Sequence, residues 1–300
     1  MKKLLIIGAS GFVGRGIIDF TSKKKFRKFN IDTLYTISRK RIFYEINKSN
    51  LIKKSFNQDL LKIKNFPEVD YIVYCIRSNN LNKSFNYFNH FLFLISQLKR
   101  KPNLLFTSSG SVYGPKNLKK KISETEKVNL KNIYKFKNYK KKYSYEKILI
   151  ERKFQKLTKY GYKVAIARLF TFFGKNILVY KYAISDLINN LNKGKNIYLK
   201  SSSDVYRSYM HSDDLSEWLL TIVKNSNLSC PIFNVGSDKE IHLKSLVNYL
   251  AKRFNKKIIP EKYQNKKKDY YVPSIKLAKK KLKLKISIDL KNDINSIVKK

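Results

Sequence analysis

The sequence of 300 residues predicts an α/β fold, a doubly wound parallel sheet with a smaller C-terminal lobe. Three observations predict it. Short apolar runs rich in β-branched residues have the length of buried parallel strands. Stretches with helical apolar spacing lie between them, and strands that alternate with helices in this way form parallel sheets. A glycine-rich turn at 8–14 joins the first run directly to the first helix.

The N-terminal part of the chain supplies most of the expected sheet. We predict strands at 4–7, 33–37, 70–76, 104–107 and 163–167. We predict helices at 15–20, 85–98 and 143–159. After Gly174 the alternation becomes less regular. There we predict helices at 180–191, 213–224, 241–253 and 275–282, with one strand at 232–235.

The formal net charge of +44 would ordinarily indicate a nucleic-acid or membrane-surface partner. The excess is mainly lysine, scattered along the chain in short runs such as 23–25, 119–121, 140–142, 266–268 and 279–281. Asn, Ile, Phe and Tyr are also abundant, and these residues share AT-rich codons with lysine. We therefore interpret the charge as a solvated basic surface and do not expect nucleic-acid binding.

Cysteine and histidine usage argues against a metal site. The two cysteines, Cys75 and Cys230, and the three histidines lack the spacing of metal ligands. Free cysteines suit a reducing compartment. The apolar run at 4–7 is too short for the core of a signal peptide, and no stretch reaches the roughly 20 apolar residues that span a bilayer. We expect a cytoplasmic protein without a membrane span.

The glycine turn predicts a dinucleotide site of the Rossmann type. Gly8 permits a tight turn, Gly11 lets backbone N–H groups approach a pyrophosphate, and Gly14 lets the helix pack close to the strand. The helix N-terminus then attracts the anion. The first gap is one residue longer than in the G-x-G-x-x-G fingerprint. The expected cofactor-binding residues of this turn are Gly8, Ser10, Gly11, Phe12, Val13 and Gly14.

The end of the second predicted strand favours NADP over NAD. An acidic residue at this position would accept hydrogen bonds from the adenosine ribose and favour NAD. The chain has Ser38, Arg39 and Lys40 instead, and the guanidinium of Arg39 suits a 2′-phosphate. Basic residues are common throughout the chain, so NAD remains the alternative.

Four later segments, read in order with the glycine turn, carry a family resemblance. They are TSSGSVYG at 107–114, YSYEK at 143–147, RLFTFFG at 168–174 and RSYMHSDDL at 207–215. Together they resemble the extended short-chain dehydrogenase/reductase family, the NAD(P)-dependent epimerases and dehydratases of nucleotide-sugars. The resemblance covers nearly the whole chain and fades after about Tyr271.

The resemblance implies a catalytic set of Ser109, Tyr143 and Lys147. The pattern Tyr-x-x-x-Lys also begins at Tyr44 and Tyr263, but only Tyr143 has the serine segment 34 residues upstream. Tyr143 and Lys147 share one helix face. In the family the tyrosine exchanges the proton of a sugar hydroxyl, the lysine holds the nicotinamide ribose and the serine bonds the reacting oxygen. We expect the ammonium and an oxidised nicotinamide to lower the pKa of the phenol.

Further residues take binding roles by the same resemblance. Asp59 and Leu60 would contact adenine, while Ile76 and Asn86 would lie near the cofactor. On the substrate side the expected residues are Ser109, Ser111, Thr171 and Arg207, with Arg207 on the nucleotide diphosphate.

Some positions depart from the family pattern or have a structural interpretation. Cys75, Ile76 and Arg77 stand where the family has small residues, His90 where it has glycine, and Thr171 where it has asparagine. We interpret His211 and Asp214 as structural, with the aspartate capping its helix.

The sequence leaves two reactions of the family as alternatives. Dehydratases place Asp-Glu directly after the catalytic Ser or Thr, but here Gly110 and Ser111 follow Ser109. A 4,6-dehydratase is therefore not expected, which leaves an epimerase or a 4-keto reductase. The competing class is a catalytically inactive scaffold or redox sensor that binds NADP or nucleic acid. The complete Ser/Tyr/Lys set argues against that class.

The expected organisation is a Rossmann domain over 1–172, to which the chain returns around 211–235. Residues 173–300 would mainly form the substrate-binding lobe. A homodimer is possible by analogy with relatives.

Overall fold

The computed structural model describes residues 2–42, 51–78, 80–116, 120–136, 138–179, 182–199, 204–260 and 268–298. Its strands are β1 Lys2–Ile7, β2 Ile31–Ile37, β3 Ile52–Phe56, β4 Tyr71–Tyr74, β5 Asn103–Ser109, β6 Val164–Leu169, β7 Phe172–Phe173, β8 Ile197–Leu199, β9 Val205–Arg207, β10 Met210–His211, β11 Ile232–Val235, β12 Ile241–His242, β13 Ile258–Pro260 and β14 Asp269–Tyr271. Its α-helices are α1 Phe12–Phe20, α2 Leu81–Ser96, α3 Leu130–Ile133, α4 Asn138–Lys156, α5 Ala183–Asn192, α6 Ser212–Lys224, α7 Leu243–Arg253, α8 Lys276–Leu282 and α9 Leu290–Ile297.

Within these residues, seven parallel strands form one sheet in the order β11-β6-β5-β4-β1-β2-β3. Successive side chains of a strand point to opposite faces, so each central strand contributes residues to two hydrophobic cores. Leu4 and Ile6 pack on the face that carries α1 and α6. Leu5 and Ile7 pack on the other face, against α2 and α4. The doubly wound parallel sheet predicted from the sequence is confirmed.

The sheet contains one strand that the sequence did not predict. β3 has the sequence Ile-Lys-Lys-Ser-Phe, and none of its residues is fully buried. It therefore lacks the apolar run that marks a buried strand. It lies at the sheet edge beyond β2, where lysines are common because they prevent pairing with another chain. The third predicted strand, 70–76, is therefore the fourth strand, and only Tyr71–Tyr74 pairs in it.

The smaller lobe is built from short strands and the helices α5 and α7. β8 pairs with β13, and β9 pairs with both β12 and β14. The helix predicted from 241 begins at Leu243 because Ile241 and His242 pair with β9 as β12. α9 was not predicted, and part of the helix predicted at 180–191 lies outside the described residues.

The chain passes between the lobe and the sheet more than once. After β10 it forms α6, which packs on α1, and then β11, which pairs with β6 at the sheet edge. The domain boundary at 172/173 stays a prediction. No helix in the described part of the chain is both long and apolar enough to cross a membrane.

Candidate active site

A cavity of about 720 Å³ lies between the carboxyl ends of the central strands and the smaller lobe. In a doubly wound sheet the ligand crevice forms where neighbouring strands send the chain to opposite sides. β1 and β4 are such a pair, because β1 leads to β2 on one side and β4 lies on the other. The residues that follow these two strands line the cavity.

Ten of the residues predicted from the sequence line this cavity. They are Gly11, Phe12, Val13, Ile76, Ser109, Ser111, Tyr143, Lys147, Thr171 and Arg207. Seven others do not line it, namely Gly8, Ser10, Gly14, Arg39, Asp59, Leu60 and Asn86.

The glycine turn has the shape that a pyrophosphate requires. Gly8 has φ of +92°, and a Cβ there would lie 2.9 Å from the carbonyl oxygen of Cys75. A Cβ on Gly14 would lie 2.6 Å from the Cα of Ala9. Gly11 is the N-cap residue of α1 and makes no side-chain cap. The turn therefore offers backbone donors at a helix N-terminus, and it fits the pyrophosphate of a dinucleotide.

Lys147 is the most buried member of the predicted catalytic set. Its Nζ donates to the carbonyl oxygen of Thr107 at 3.1 Å and to that of Ile76 at 3.4 Å. The ammonium lies 5.8 Å from the ring centroid of Tyr143. Burial lowers the pKa of Lys147 to about 8. Its charge is therefore partly lost in mildly alkaline solution.

Ser109 is the last residue of β5 and lines the cavity. Its hydroxyl accepts a hydrogen bond from the backbone N–H of Ser111 at 3.2 Å. Burial raises the pKa of two phenols that also line the cavity, Tyr143 and Tyr271, and in each case Ser109 opposes the rise.

The electrostatics of Tyr143 depend on its burial and on its neighbours. Burial raises its pKa, while the charge of Arg77 and the hydrogen bond to Ser109 oppose the rise. The expected lowering of this pKa by the ammonium of Lys147 and an oxidised nicotinamide stays a prediction. In the cofactor-free structure Lys147 donates to two backbone carbonyls, and Arg77 lies over the phenol ring.

Comparison with known proteins assigns the family. The model of the NAD dependent epimerase/dehydratase family matches residues 4–236. The chain belongs to this family. No curated protein sequence matches it significantly.

Solved structures share the fold over nearly the whole chain. UDP-glucose 4-epimerase of Thermotoga maritima, solved with UDP-glucose, has a TM-score of 0.74 at 14% identity, covering 99% of this chain and 97% of that one. dTDP-glucose 4,6-dehydratase of Bacillus anthracis, solved with NAD, has a TM-score of 0.75 at 13% identity, with 99% and 96% covered. The Bordetella bronchiseptica enzyme WbmF, solved with NAD⁺, has a TM-score of 0.75 at 13% identity, with 99% and 91% covered. At these identities the likeness establishes the fold alone.

On the substrate side, two of the predicted residues, Arg207 and Thr171, already have protein partners. The guanidinium of Arg207 pairs with the carboxylate of Asp269 at 2.5 Å. The Thr171 hydroxyl donates to the backbone oxygen of Ser208. The Ser111 hydroxyl is buried and has no hydrogen-bond partner among the described residues. Ser111 is therefore the member of this set with an unused donor and acceptor.

The predicted adenine contacts lie away from the cavity. Asp59 caps a short 3₁₀ helix by accepting from the N–H of Leu61, and it also accepts from the Tyr87 hydroxyl at 2.8 Å. Leu60 is buried in the core. Asn86 is exposed on α2. Arg39 is exposed beyond the end of β2. Burial raises the pKa of the nearby Tyr87 to about 12, and the charge of Arg39 opposes that rise.

His211 and Asp214 both have structural partners, although the cap is not the one expected. The Nδ1 of His211 accepts from the N–H of Asp213 and caps α6. The buried carboxylate of Asp214 instead accepts from the N–H groups of Ser287 and Ile288 at 2.9 and 3.0 Å. This aspartate therefore anchors the C-terminal segment to α6, and the expectation that it caps its own helix is wrong.

Two residues of the site were missed by sequence reasoning as functional groups. Arg77 was noted only as a departure from the family pattern, and Tyr271 only as the point where the resemblance fades. Both line the cavity beside Tyr143. No local pattern marks Tyr271, because it reaches the site from β14, far along the chain. The unusual arginine after β4 was the available signal for Arg77.

A buried polar network holds α4, which carries Tyr143, against the sheet. The guanidinium of Arg168 on β6 donates to both carboxylate oxygens of Glu151 on α4, at 3.0 and 2.7 Å. It also donates to the Tyr113 hydroxyl at 3.0 Å, which in turn donates to Asn234 on β11 at 2.8 Å. The network thus connects α4, β6, β11 and the 3₁₀ helix Gly110–Tyr113 that follows β5.

Proposed function

We propose that the protein is an NAD(P)-dependent epimerase or 4-keto reductase that acts on a nucleotide-linked sugar. Ser109, Tyr143 and Lys147 are its catalytic residues. The observation that supports this proposal is their convergence on one cavity that begins at the glycine turn. An inactive scaffold would need the turn but none of these three side chains.

Each catalytic residue has a role that its position supports. When bound, the nicotinamide supplies the acceptor or donor of a hydride. Tyr143 accepts the proton of the sugar hydroxyl as its carbon loses hydride, and returns a proton in the reverse direction. Ser109, which lines the same cavity as that phenol, orients the reacting oxygen. Lys147 binds the nicotinamide ribose from the cavity wall, where its hydrogen bonds to two backbone carbonyls hold its ammonium.

The surroundings of Gly110 support an epimerase or reductase over a 4,6-dehydratase. A Cβ at this position would lie 2.6 Å from the ring of Phe170 and 2.8 Å from the hydroxyl of Tyr271. A carboxylate side chain directly after Ser109 would therefore collide with the cavity wall. The acid–base pair that a dehydratase places there has no room.

The substrate side fits a molecule that carries its own diphosphate. Arg207 lines the cavity, and Ser111 offers an unused hydroxyl. The Thermotoga maritima relative was solved with UDP-glucose. A nucleotide diphosphate would replace Asp269 as the partner of the Arg207 guanidinium, since phosphate oxygens also accept paired hydrogen bonds from arginine.

A direct assay tests the proposed function. The protein is incubated with NADPH, and separately with NADH, against a panel of nucleotide-sugars and their 4-keto forms. Cofactor oxidation identifies a reductase, and inversion of the sugar without net oxidation identifies an epimerase. Tight, salt-sensitive RNA binding without cofactor binding would instead support the scaffold.

We also propose that NADP is preferred to NAD, although the relatives above were solved with NAD. Arg39 supports this preference, because it is exposed just beyond β2 and its charge reaches Tyr87. Replacing Arg39 with Ala is expected to weaken NADPH binding about tenfold while NADH binding stays the same, since one charge-assisted hydrogen bond is lost. Fluorescence titration of both cofactors measures this change.

Arg27→Ala is the matched control for the cofactor prediction. Arg27 is an exposed arginine on the short 3₁₀ helix before β2, so its loss changes net charge equally. If Arg39→Ala and Arg27→Ala weaken NADPH binding alike, general surface charge and not a 2′-phosphate contact explains the affinity.

A further inference from the structure

Arg77 lies over the face of the proposed catalytic tyrosine. It follows β4, where the chain turns into the cavity. Its guanidinium carbon is 5.2 Å from the ring centroid of Tyr143 and 5.5 Å from that of Tyr139. The two rings stack with an interplanar angle of 9° and a centroid distance of 6.3 Å. One guanidinium therefore covers a pair of parallel phenols on α4.

A contact with the smaller lobe also holds this arginine. Its Nη1 donates to the hydroxyl of Tyr182 at 3.0 Å. Tyr182 directly precedes α5 and also lines the cavity. The contacts with the two rings and the hydrogen bond to Tyr182 together restrict the orientation of Arg77. Part of the side-chain entropy that a cation–phenol contact costs is therefore lost when the protein folds.

Charged and titratable groups surround the Tyr143 phenol from several elements. They are Arg77 after β4, Tyr139, Glu146 and Lys147 on α4 itself, and Tyr271 on β14. The carboxylate of Glu146 opposes formation of the phenolate, and an ionised Tyr271 would also oppose it. Of the two cations, Arg77 opposes the rise in the pKa of Tyr143 that burial causes.

The two cations differ in how long they keep their charge as pH rises. The pKa of Lys147 is about 8 because the ammonium is buried. A guanidinium stays protonated throughout the working range of proteins. At a pH where Tyr143 begins to ionise, Arg77 is therefore the more dependable source of positive charge. Its guanidinium carbon also lies nearer the ring centroid of Tyr143, at 5.2 Å against 5.8 Å for the ammonium of Lys147.

We propose that Arg77 is a positioning residue that stabilises the phenolate of Tyr143 and holds its ring toward the substrate. This role rests on the proposed function of Tyr143. In this proposal the segment after β4 supplies a positive charge beside Tyr143 in addition to that of Lys147. Arg77 acts through the tyrosine and does not itself exchange protons.

Two measurements on four protein pairs test the proposal. Phenolate absorbance is titrated in the cofactor-free protein, and the Tyr143→Phe curve is subtracted to isolate Tyr143. The same subtraction is made in the backgrounds Arg77→Gln, Arg77→Lys and Lys83→Gln. Far-ultraviolet circular dichroism over the same pH range verifies folding. The pH dependence of kcat for sugar oxidation is then measured with any substrate found in the panel assay.

The expected result is a shift of about one pH unit toward higher pH in Arg77→Gln, in both the titration and the kcat profile. Below the midpoint this equals about a tenfold loss of rate. Arg77→Lys keeps the charge and restores most of the midpoint. Lys83→Gln removes an equal charge from a lysine that lies 5.6 Å from the Tyr87 ring centroid, outside the cavity, and leaves the midpoint unchanged.

Unchanged midpoints in Arg77→Gln overturn the proposal. An equal shift in Arg77→Gln and Arg77→Lys also overturns it, since that result assigns the effect to packing alone. These failures differ from failure of the proposed function. If Tyr143→Phe keeps full turnover, the acid–base assignment is wrong, whatever the absorbance titration shows about Arg77.

Discussion

Tyr143→Phe is expected to lower turnover about a thousandfold, because a phenyl ring keeps the packing but cannot exchange a proton. Its ring would still lie beneath Arg77 and stack on Tyr139, so the cavity keeps its shape. Affinity for the cofactor is expected to stay within about twofold, since only one hydroxyl is removed and Ser109 keeps its hydrogen bond from the Ser111 N–H. Turnover on the true substrate and fluorescence titration of the cofactor measure the two effects.

The chain contains its own controls for this prediction. Tyr44 and Tyr263 begin the same Tyr-x-x-x-Lys pattern and lie outside the described residues. Tyr44→Phe and Tyr263→Phe are expected to leave turnover unchanged. A loss of turnover in either variant equal to that of Tyr143→Phe would contradict the assignment of Tyr143 by its position after the serine segment.

Glu151→Ala is expected to lower the free energy of unfolding by about 3–5 kcal/mol, because it leaves the guanidinium of Arg168 buried without its carboxylate. Glu151 is 4% exposed and Arg168 is 5% exposed. Water therefore cannot replace the two lost hydrogen bonds. Urea unfolding followed by circular dichroism measures the loss, provided that the midpoint and not the slope changes.

Two further variants determine whether burial causes the loss. Glu151→Gln keeps the shape and one acceptor and is expected to cost less than Glu151→Ala. Glu217→Ala removes a carboxylate that pairs with Lys28 and Lys25 near the surface, and is expected to cost at most about 1 kcal/mol. Similar losses for Glu151→Ala and Glu217→Ala would show that the buried network contributes no more than a surface pair.

The network also explains why a loss of stability in Glu151→Ala would affect the active site. Glu151 lies two helical turns beyond Tyr143 on α4, and Arg168 precedes the cavity residues Leu169 and Phe170. Loosening the connection between α4 and β6 would change the distance between Tyr143 and the end of β5. Activity is therefore expected to fall with stability in Glu151→Ala.

Local patterns in the sequence were sufficient for the parallel sheet, the glycine turn and the pairing of Tyr143 with Lys147. Each depends on residues close together in the chain. Apolar runs of three to six residues predict β1, β4, β5 and β6, because strands that are buried on both faces favour apolar side chains. The turn requires glycine at Gly8 and Gly14 because a Cβ would overlap backbone atoms.

Other features depended on contacts between distant parts of the chain. β3 became visible only when paired with β2, because an accessible edge strand needs no apolar run. The partners of Asp214 come from residues 287–288, so no local capping rule could identify them.

The tertiary structure alone decided which cation lies nearer the ring of the proposed acid–base residue. Helical spacing places Lys147 on the same face as Tyr143, and from the sequence it was the natural source of positive charge. Folding instead buries the ammonium against two carbonyl oxygens and lays Arg77 over the phenol ring. The strength of a charge at a phenol depends on distance and burial, and both are set where β4, α4 and the smaller lobe meet.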